Sequence, residues 1–288
     1  MRELSLLGIL IFLLNTCNNY EYDKEPDTSI MVVEGWIEDG GFPVVMLTRP
    51  LFLSDDWQYI DSLSDYIIRW AKVTISDGTD SVVLTGKYDK GYFPPYIYTT
   101  GWMKGEAGKT YVLTAEYRDL RASAVTTIPS SPDNCSFKVE RCADSDTLYQ
   151  IKLHFTDNPV QKDYYQVFTR VGGKAKQYLV SYLGSIDDAV LEKETDVFAY
   201  RGHQKLLNYD YNPYFMLDDT VSIKFAQVDS VSFRIFDDYT KMLSLSDNMF
   251  LSTSTNIESN IVGGYGYWCG YNAITRHIVI SDSVESGR

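Results

Sequence analysis

The chain has 288 residues, with 39 Asp and Glu against 26 Lys and Arg, and a formal net charge of −13. So acidic a sequence, without a Lys/Arg cluster, lacks the basic face that nucleic acid demands, and it has no electrostatic attraction to anionic lipid. Its 23 Tyr, 13 Phe and 5 Trp favour half-buried pleated surfaces over helices.

In chain order, Met1-Arg2-Glu3 precede the almost wholly apolar Leu4 to Leu14, followed by Asn15-Thr16-Cys17 and an abrupt change to Asn18-Asn19-Tyr20-Glu21-Tyr22-Asp23-Lys24-Glu25. The apolar run suits the core of a secretory signal and falls well short of the ~20 residues of a membrane-spanning helix. A cysteine directly behind such a run resembles a bacterial lipobox, in which the thiol is acylated and the preceding peptide removed. The sequence therefore predicts a lipoprotein signal peptide over 1–16, an acylated Cys17 anchored in a lipid bilayer, and an acidic tether over 17–28.

Ordered β structure is expected to begin with a hairpin: Ile30 to Glu38, the turn Asp39-Gly40-Gly41, and Pro43 to Thr48. Further strands are predicted at 71–76, 81–85, 96–99, 110–117 and 121–128. Within 110–117, Tyr111, Leu113, Ala115 and Tyr117 share one face. About seven short strands in about 100 residues match an immunoglobulin-like β-sandwich over 29–129. Pro129-Ser130-Ser131-Pro132-Asp133-Asn134 then reads as a linker.

A second β-rich domain is expected over 134–288, with strands at 147–155, 164–171, 221–226, 228–236, 265–269 and 276–280. One short helix is predicted there, capped by Asp237 or Asp238, with Tyr239, Met242 and Leu243 at helical spacing and an end at Ser246. The expected fold class is all-β, with two β-sandwich-type domains. The run Gly263-Gly264-Tyr265-Gly266-Tyr267-Trp268 has neither a following helix nor a basic residue for phosphate, so it reads as a glycine-bulged strand.

An exported chain meets an oxidising compartment, and Cys135 and Cys142 lie close enough in sequence for a disulfide closing a short loop. Cys269, inside an aromatic stretch, is expected to be buried and reduced. Chemistry is otherwise sparse. There is no nucleophile elbow, zinc-binding helix or phosphate loop, and His154, His203 and His277 are far apart in sequence without a second ligand type at coordinating spacing. The pairs Asp55-Asp56, Asp187-Asp188, Asp218-Asp219 and Asp237-Asp238 are adjacent, and neighbours on a strand face opposite ways, so they read as turns and caps. The reading is a protein that is not an enzyme, with no catalytic set, metal or cofactor.

Two aromatic loops stand out, one flanked by Trp57, Tyr59, Tyr66 and Trp70, the other Tyr92-Phe93-Pro94-Pro95-Tyr96. Trp57, Tyr59, Tyr92 and Phe93 either form a binding surface or cover the ends of a sandwich. Six triplets of Asp, Ser or Thr, and an apolar residue begin at Asp61, Asp80, Asp146, Asp219, Asp229 and Asp282. They fit turn-to-strand entry, and they also resemble the O-glycosylation acceptor of exported Bacteroidota proteins.

The lipobox-like Cys17, Val32-Val33-Glu34-Gly35-Trp36-Ile37, Ala71 to Gly78, Gly105 to Leu113 and Ser259 to Tyr267 together resemble a Bacteroidota outer-membrane lipoprotein family defined by a domain of unknown function, DUF4249. The Tyr-rich stretch Leu206 to Phe215 departs from that pattern. The resemblance implies a surface-exposed lipoprotein of the outer membrane, since the acidic residues after Cys17 are similar to the signal for export to the outer leaflet. It further implies a companion of TonB-dependent transporters, beside which members are commonly encoded. The expected function is a non-catalytic accessory or extracellular cap of such a β-barrel transporter in nutrient uptake. The alternative is an adhesive lipoprotein holding glycans or matrix on its aromatic loops.

Overall fold

The computed structural model describes residues 30–50, 64–132, 134–157, 162–187, 194–202, 211–246 and 257–281. The predicted signal peptide, Cys17, the tether, Trp57 and Tyr59 lie outside the described residues. The first half holds β1 (Met31–Glu38), β2 (Val44–Thr48), β3 (Lys72–Ser76), β4 (Ser81–Val83), β5 (Thr85–Tyr88), β6 (Tyr96–Thr99), β7 (Thr110–Tyr117) and β8 (Leu120–Thr127). The second holds β9 (Cys135–Arg141), β10 (Leu148–Thr156), β11 (Tyr164–Val171), β12 (Leu179–Asp187), β13 (Glu194–Ala199), β14 (Phe215–Met216), β15 (Thr220–Val228), α1 (Ser230–Ser246) and β16 (Gly264–Val279).

The fold is all-β and sandwich-type, and one sheet is common to both halves. Its eight strands run β12-β11-β15-β16-β1-β2-β6-β5. On the first half of this sheet packs the sheet β4-β3-β7-β8, and between them lies a core of Met31, Val33, Val45, Leu47 and Tyr98 against Val73, Ile75, Tyr111 and Leu113. Against the second half packs β13-β10-β14 with β9, enclosing Ile151, Leu153 and Phe155 with Val167, Ile223 and Phe225. The period of two that buries Tyr111, Leu113 and Ala115 on β7 follows from the pleat.

Joining the halves is β16. From Gly264 to Tyr271 it pairs in parallel with β1, and from Tyr271 to Val279 antiparallel with β15, so Tyr271 stands opposite both Glu38 and Val228. The expected boundary at 129–134 thus coincides with no break in this sheet. Close pairing requires a glycine at 266: its φ is 110°, and a Cβ there would lie 1.9 Å from the Val33 carbonyl oxygen. Where strands are predicted at 265–269 and 276–280, a single strand runs through, with a positive-φ glycine at 266 and another, Gly263, in the turn just before it.

Two expectations are corrected. The segment 228–236 is not a strand beyond Val228. Helix α1 starts at Ser230 and is capped not by Asp237 or Asp238 but by Asp229, whose Oδ1 accepts from Ser232 N at 2.7 Å while its carbonyl accepts from Phe233 N at 2.9 Å. Ser232, Ile235, Phe236 and Thr240 are buried at helical spacing, and Phe236 packs edge-on against Phe168 on the outer face of the long sheet. The disulfide is corrected as well. Cys135 opens β9 and Cys142 follows its last residue, so seven extended residues hold their Cα atoms about 23 Å apart. A disulfide needs less than about 7 Å, and both thiols are free. The segment is a strand because Phe137 and Val139 face the second core while Lys138 and Glu140 face away, and it pairs with β10 from Cys135 opposite Phe155 to Arg141 opposite Tyr149. Cys269 is buried and free, as expected. No helix among the described residues is long and apolar enough to cross a membrane.

Candidate binding surface

One end of the first sandwich gathers aromatic side chains. β1 starts there at Met31, and Thr48 at the end of β2 stands opposite Val32 and bridges to Ile67. β5 finishes there at Tyr88, and β6 begins there at Tyr96. Two tyrosine hydroxyls tie the incoming chain down. Tyr96 donates to the Arg69 carbonyl at 2.8 Å, and Tyr98 donates to Ile68 O at 2.7 Å while accepting from Ala71 N at 3.0 Å. Burial pushes the Tyr98 phenol up to about 12, which keeps it a donor.

Between these anchored neighbours sits Trp70, whose backbone is held on both sides while the residue is 85% exposed. Tyr88, directly opposite Tyr96 across the β5–β6 pair, is 64% exposed. A large ring on a fixed backbone loses little conformational entropy on binding, which is the property of an interface anchor. The segment carrying Trp57 and Tyr59 lies outside the described residues, and its flanks meet at this same end, where Arg49 N donates to Tyr66 O at 2.8 Å.

Tyr92 and Phe93 go elsewhere. Tyr92 packs on Trp36, ring centroids 6.3 Å apart, over Val44, Met46 and Ile97 on the outer face of the long sheet. The Gly91 carbonyl accepts from Lys176 N at 2.7 Å and Gln177 N at 3.2 Å, and Phe93 N donates to Gln177 Oε1 at 3.0 Å. Lys176 also pairs with Asp89 at 2.9 Å, holding that carboxyl below its usual range. The loop joining β5 to β6 is thereby docked on the loop joining β11 to β12, and Tyr92 covers the sheet from within the chain, while Phe93 is held by its backbone N–H. Beneath them Gln177 donates to Glu34 Oε1 at 3.1 Å, as does the Tyr267 hydroxyl at 2.9 Å. Burial pushes the Glu34 carboxyl up to about 6 despite these two bonds.

A further exposed tryptophan that sequence reasoning missed, Trp102, stands at the opposite end of the sandwich. It is 92% exposed, two residues from Lys104, whose ammonium lies 5.2 Å from the Phe42 ring centre. The available signal was a lone Trp between Gly101 and Gly105 in a loop between two strands.

Two pairs have the spacing of acid–base chemistry. Ser222 Oγ lies 2.8 Å from His277 Nδ1, and His154 Nδ1 lies 2.8 Å from Asp196 Oδ1. Among the described residues the first has no carboxylate bonded to the imidazole, and the second shares Asp196 with Lys152 and has no nucleophile bonded to the ring. Among the described residues no three His, Cys, Asp or Glu side chains gather as a metal-binding group. Of the described acceptor-like triplets, those at Asp80, Asp146 and Asp219 do stand at strand entries, with Ser81, Thr147 and Thr220 exposed, and the one at Asp229 caps α1.

Comparison with functionally curated proteins finds no match. Residues 18–277 match the family described as Domain of unknown function (DUF4249), a span that takes in the first core, nearly all of the second and the aromatic end, and the chain therefore belongs to the DUF4249 family.

Proposed function

We propose that the protein is a lipid-anchored, non-catalytic component of a Bacteroidota outer membrane, facing the cell exterior and serving as an accessory or cap of a β-barrel TonB-dependent transporter. The observation that carries this reading is the coincidence of two features at one end of the first sandwich: the start of β1 at Met31 and the exposed rings of Trp70 and Tyr88. A tether from an acylated Cys17 enters the body at Ile30, and thirteen residues span at most about 45 Å, so the aromatic end lies within that reach of the membrane in which a barrel presents its loops. An acidic body gains nothing from anionic lipid, so attachment rests on the acyl chains.

The first test is anchorage. Cys17→Ala is expected to move the protein from the membrane fraction to the soluble fraction, and its retention in membranes washed with alkaline carbonate would contradict the reading. The adhesive alternative draws support from the same exposed tryptophans, because flat aromatic rings also stack on sugars. Glycan-array binding by the isolated protein, lost on Trp70→Ala, would favour that alternative.

A further inference from the structure

Two loops on the outer face of the long sheet fasten to each other and to a carboxyl beneath them. The loop joining β11 to β12 starts at Gly172, left-handed at φ 80°, and Gly173, both with open space around them, and residues 172–176 are exposed. A glycine pair in open space lets a segment pivot. The far end of the loop is pinned. Lys176 N and Gln177 N donate to the Gly91 carbonyl, and the charged groups of Arg170 and Lys224 stand 4.5 and 4.4 Å from the centre of the Tyr178 ring.

Gln177 joins both loops to the sheet. It is buried, its Oε1 accepts from Phe93 N at 3.0 Å in the loop joining β5 to β6, and its Nε2 donates to Glu34 Oε1 at 3.1 Å on β1. The same carboxyl oxygen accepts from the Tyr267 hydroxyl at 2.9 Å. A neutral carboxyl suits this half-buried place. A carboxylate there has exchanged water for two hydrogen bonds, and its loss of solvation outweighs them, so the group titrates near 6 instead of 4.5. Swinging Gln177 away returns water to the carboxylate. The same movement releases Phe93, and with it the Tyr92 ring from Trp36, Val44, Met46 and Ile97.

Other titratable groups around Glu34 keep one charge state near neutral pH. Burial pushes up the phenols of Tyr267 on β16, Tyr239 on α1 and Tyr92, that of Tyr239 to about 12. The bond between Lys176 and Asp89 raises the amine and lowers the carboxyl. Farther along β1, Glu38 and Lys224 compensate each other.

We propose that the two loops form a latch controlled by Glu34: with its carboxyl protonated they stay closed over β1, and with it ionised they open together about Gly172 and Gly173, uncovering Trp36. The latch is independent of the aromatic end and of membrane anchorage.

The test is hydrogen exchange of the full chain in detergent at pH 4.5 and 7.5, corrected for the intrinsic effect of pH on exchange. It is read in peptides covering 89–95 and 172–178, with 110–117 as the core reference. The interval from 4.5 to about 6 corresponds to about 30-fold at tenfold per pH unit, and a factor of about two is already present at pH 4.5. Opening of both loops is therefore expected to rise about 15-fold at pH 7.5, while 110–117 remains the more protected segment at both values. Glu34→Gln is expected to keep both loops closed at pH 7.5, and Gln177→Ala to leave both open at either pH. Equal opening of the wild-type loops at the two pH values would overturn the proposal. So would loop exchange no faster than that of 110–117, which marks global unfolding, or a pH difference that survives in Glu34→Gln. The wild-type comparison decides even if a variant does not fold.

Discussion

The Trp268 indole donates to the carbonyl oxygen of Tyr111 at 3.1 Å, a bond between residues 157 apart in sequence that fixes the C-terminal strand inside the N-terminal core. Trp268 is fully buried there, among Met31, Val73 and Leu113. Residues 29–129 consequently lack part of their own core and one strand of their own sheet. Trp268→Ala is expected to destabilise the protein by about 3 to 5 kcal/mol. A fragment of residues 29–129 is expected to show no cooperative unfolding in urea, and a sigmoidal transition like that of the full chain would contradict this dependence.

Local alternation carries much of the fold, and long-range pairing does not. The hairpin around Asp39-Gly40-Gly41 and the buried face Tyr111, Leu113 and Ala115 are legible because turn residues and period two are local signals. The parallel pairing of Met31 with Gly264 leaves no local trace, so a linker at 129–134 suggests a division that the sheet does not make. Val231, Phe233 and Ile235 alternate like a strand, yet the Asp229 cap and the burial of Ser232, Ile235 and Phe236 make this a helix. In β9, Phe137 and Val139 alternate with Ser136, Lys138 and Glu140, a strand signal that outweighs the short spacing of the two cysteines. The aromatic loops are visible as composition. Which rings are exposed is not: Tyr92 turns onto Trp36, whereas Trp70 stays free because Tyr96 and Tyr98 hold its neighbours from below.

The cysteines are expected to remain thiols. Burial pushes Cys135 up to about 11 and raises Cys142 and the fully buried Cys269 as well, so little thiolate is present near neutral pH. Alkylation of the unreduced, unfolded protein followed by mass spectrometry is expected to find all three modified, and a reductant is expected to leave the unfolding temperature unchanged. A Cys135–Cys142 cross-linked peptide would refute the β9 pairing.

Glu34 makes stability fall as pH rises. Its carboxyl is raised by burial from 4.5 to about 6 in the folded protein, so between those values the folded state holds more protons than the unfolded. The contribution is fully present below 4.5 and is lost as pH rises through 6, amounting to roughly 2 kcal/mol at about 1.4 kcal/mol per pH unit. Glu34→Gln keeps an acceptor for Tyr267 and Gln177 while removing the charge. By chemical denaturation it is expected to match the wild type at pH 4.5 and to exceed it at pH 7.5. A variant less stable than the wild type at pH 7.5 would show that the charged carboxylate is favourable where it lies.

On the proposed function, the aromatic end is the surface that meets a β-barrel partner. Trp70→Ala removes a ring that is 85% exposed and leaves the Tyr96 and Tyr98 anchors in place, so the unfolding temperature is expected to change by only a few degrees. Truncation of an interface anchor costs about 2 kcal/mol or more, which is over tenfold in affinity. The decisive measurement is the affinity of the lipidated chain for the β-barrel that copurifies with it from detergent-solubilised outer membranes, wild type against Trp70→Ala. A loss of at least tenfold with the fold intact is expected, and the proposed function is contradicted if no barrel copurifies or if the folded variant binds the barrel as tightly as the wild type.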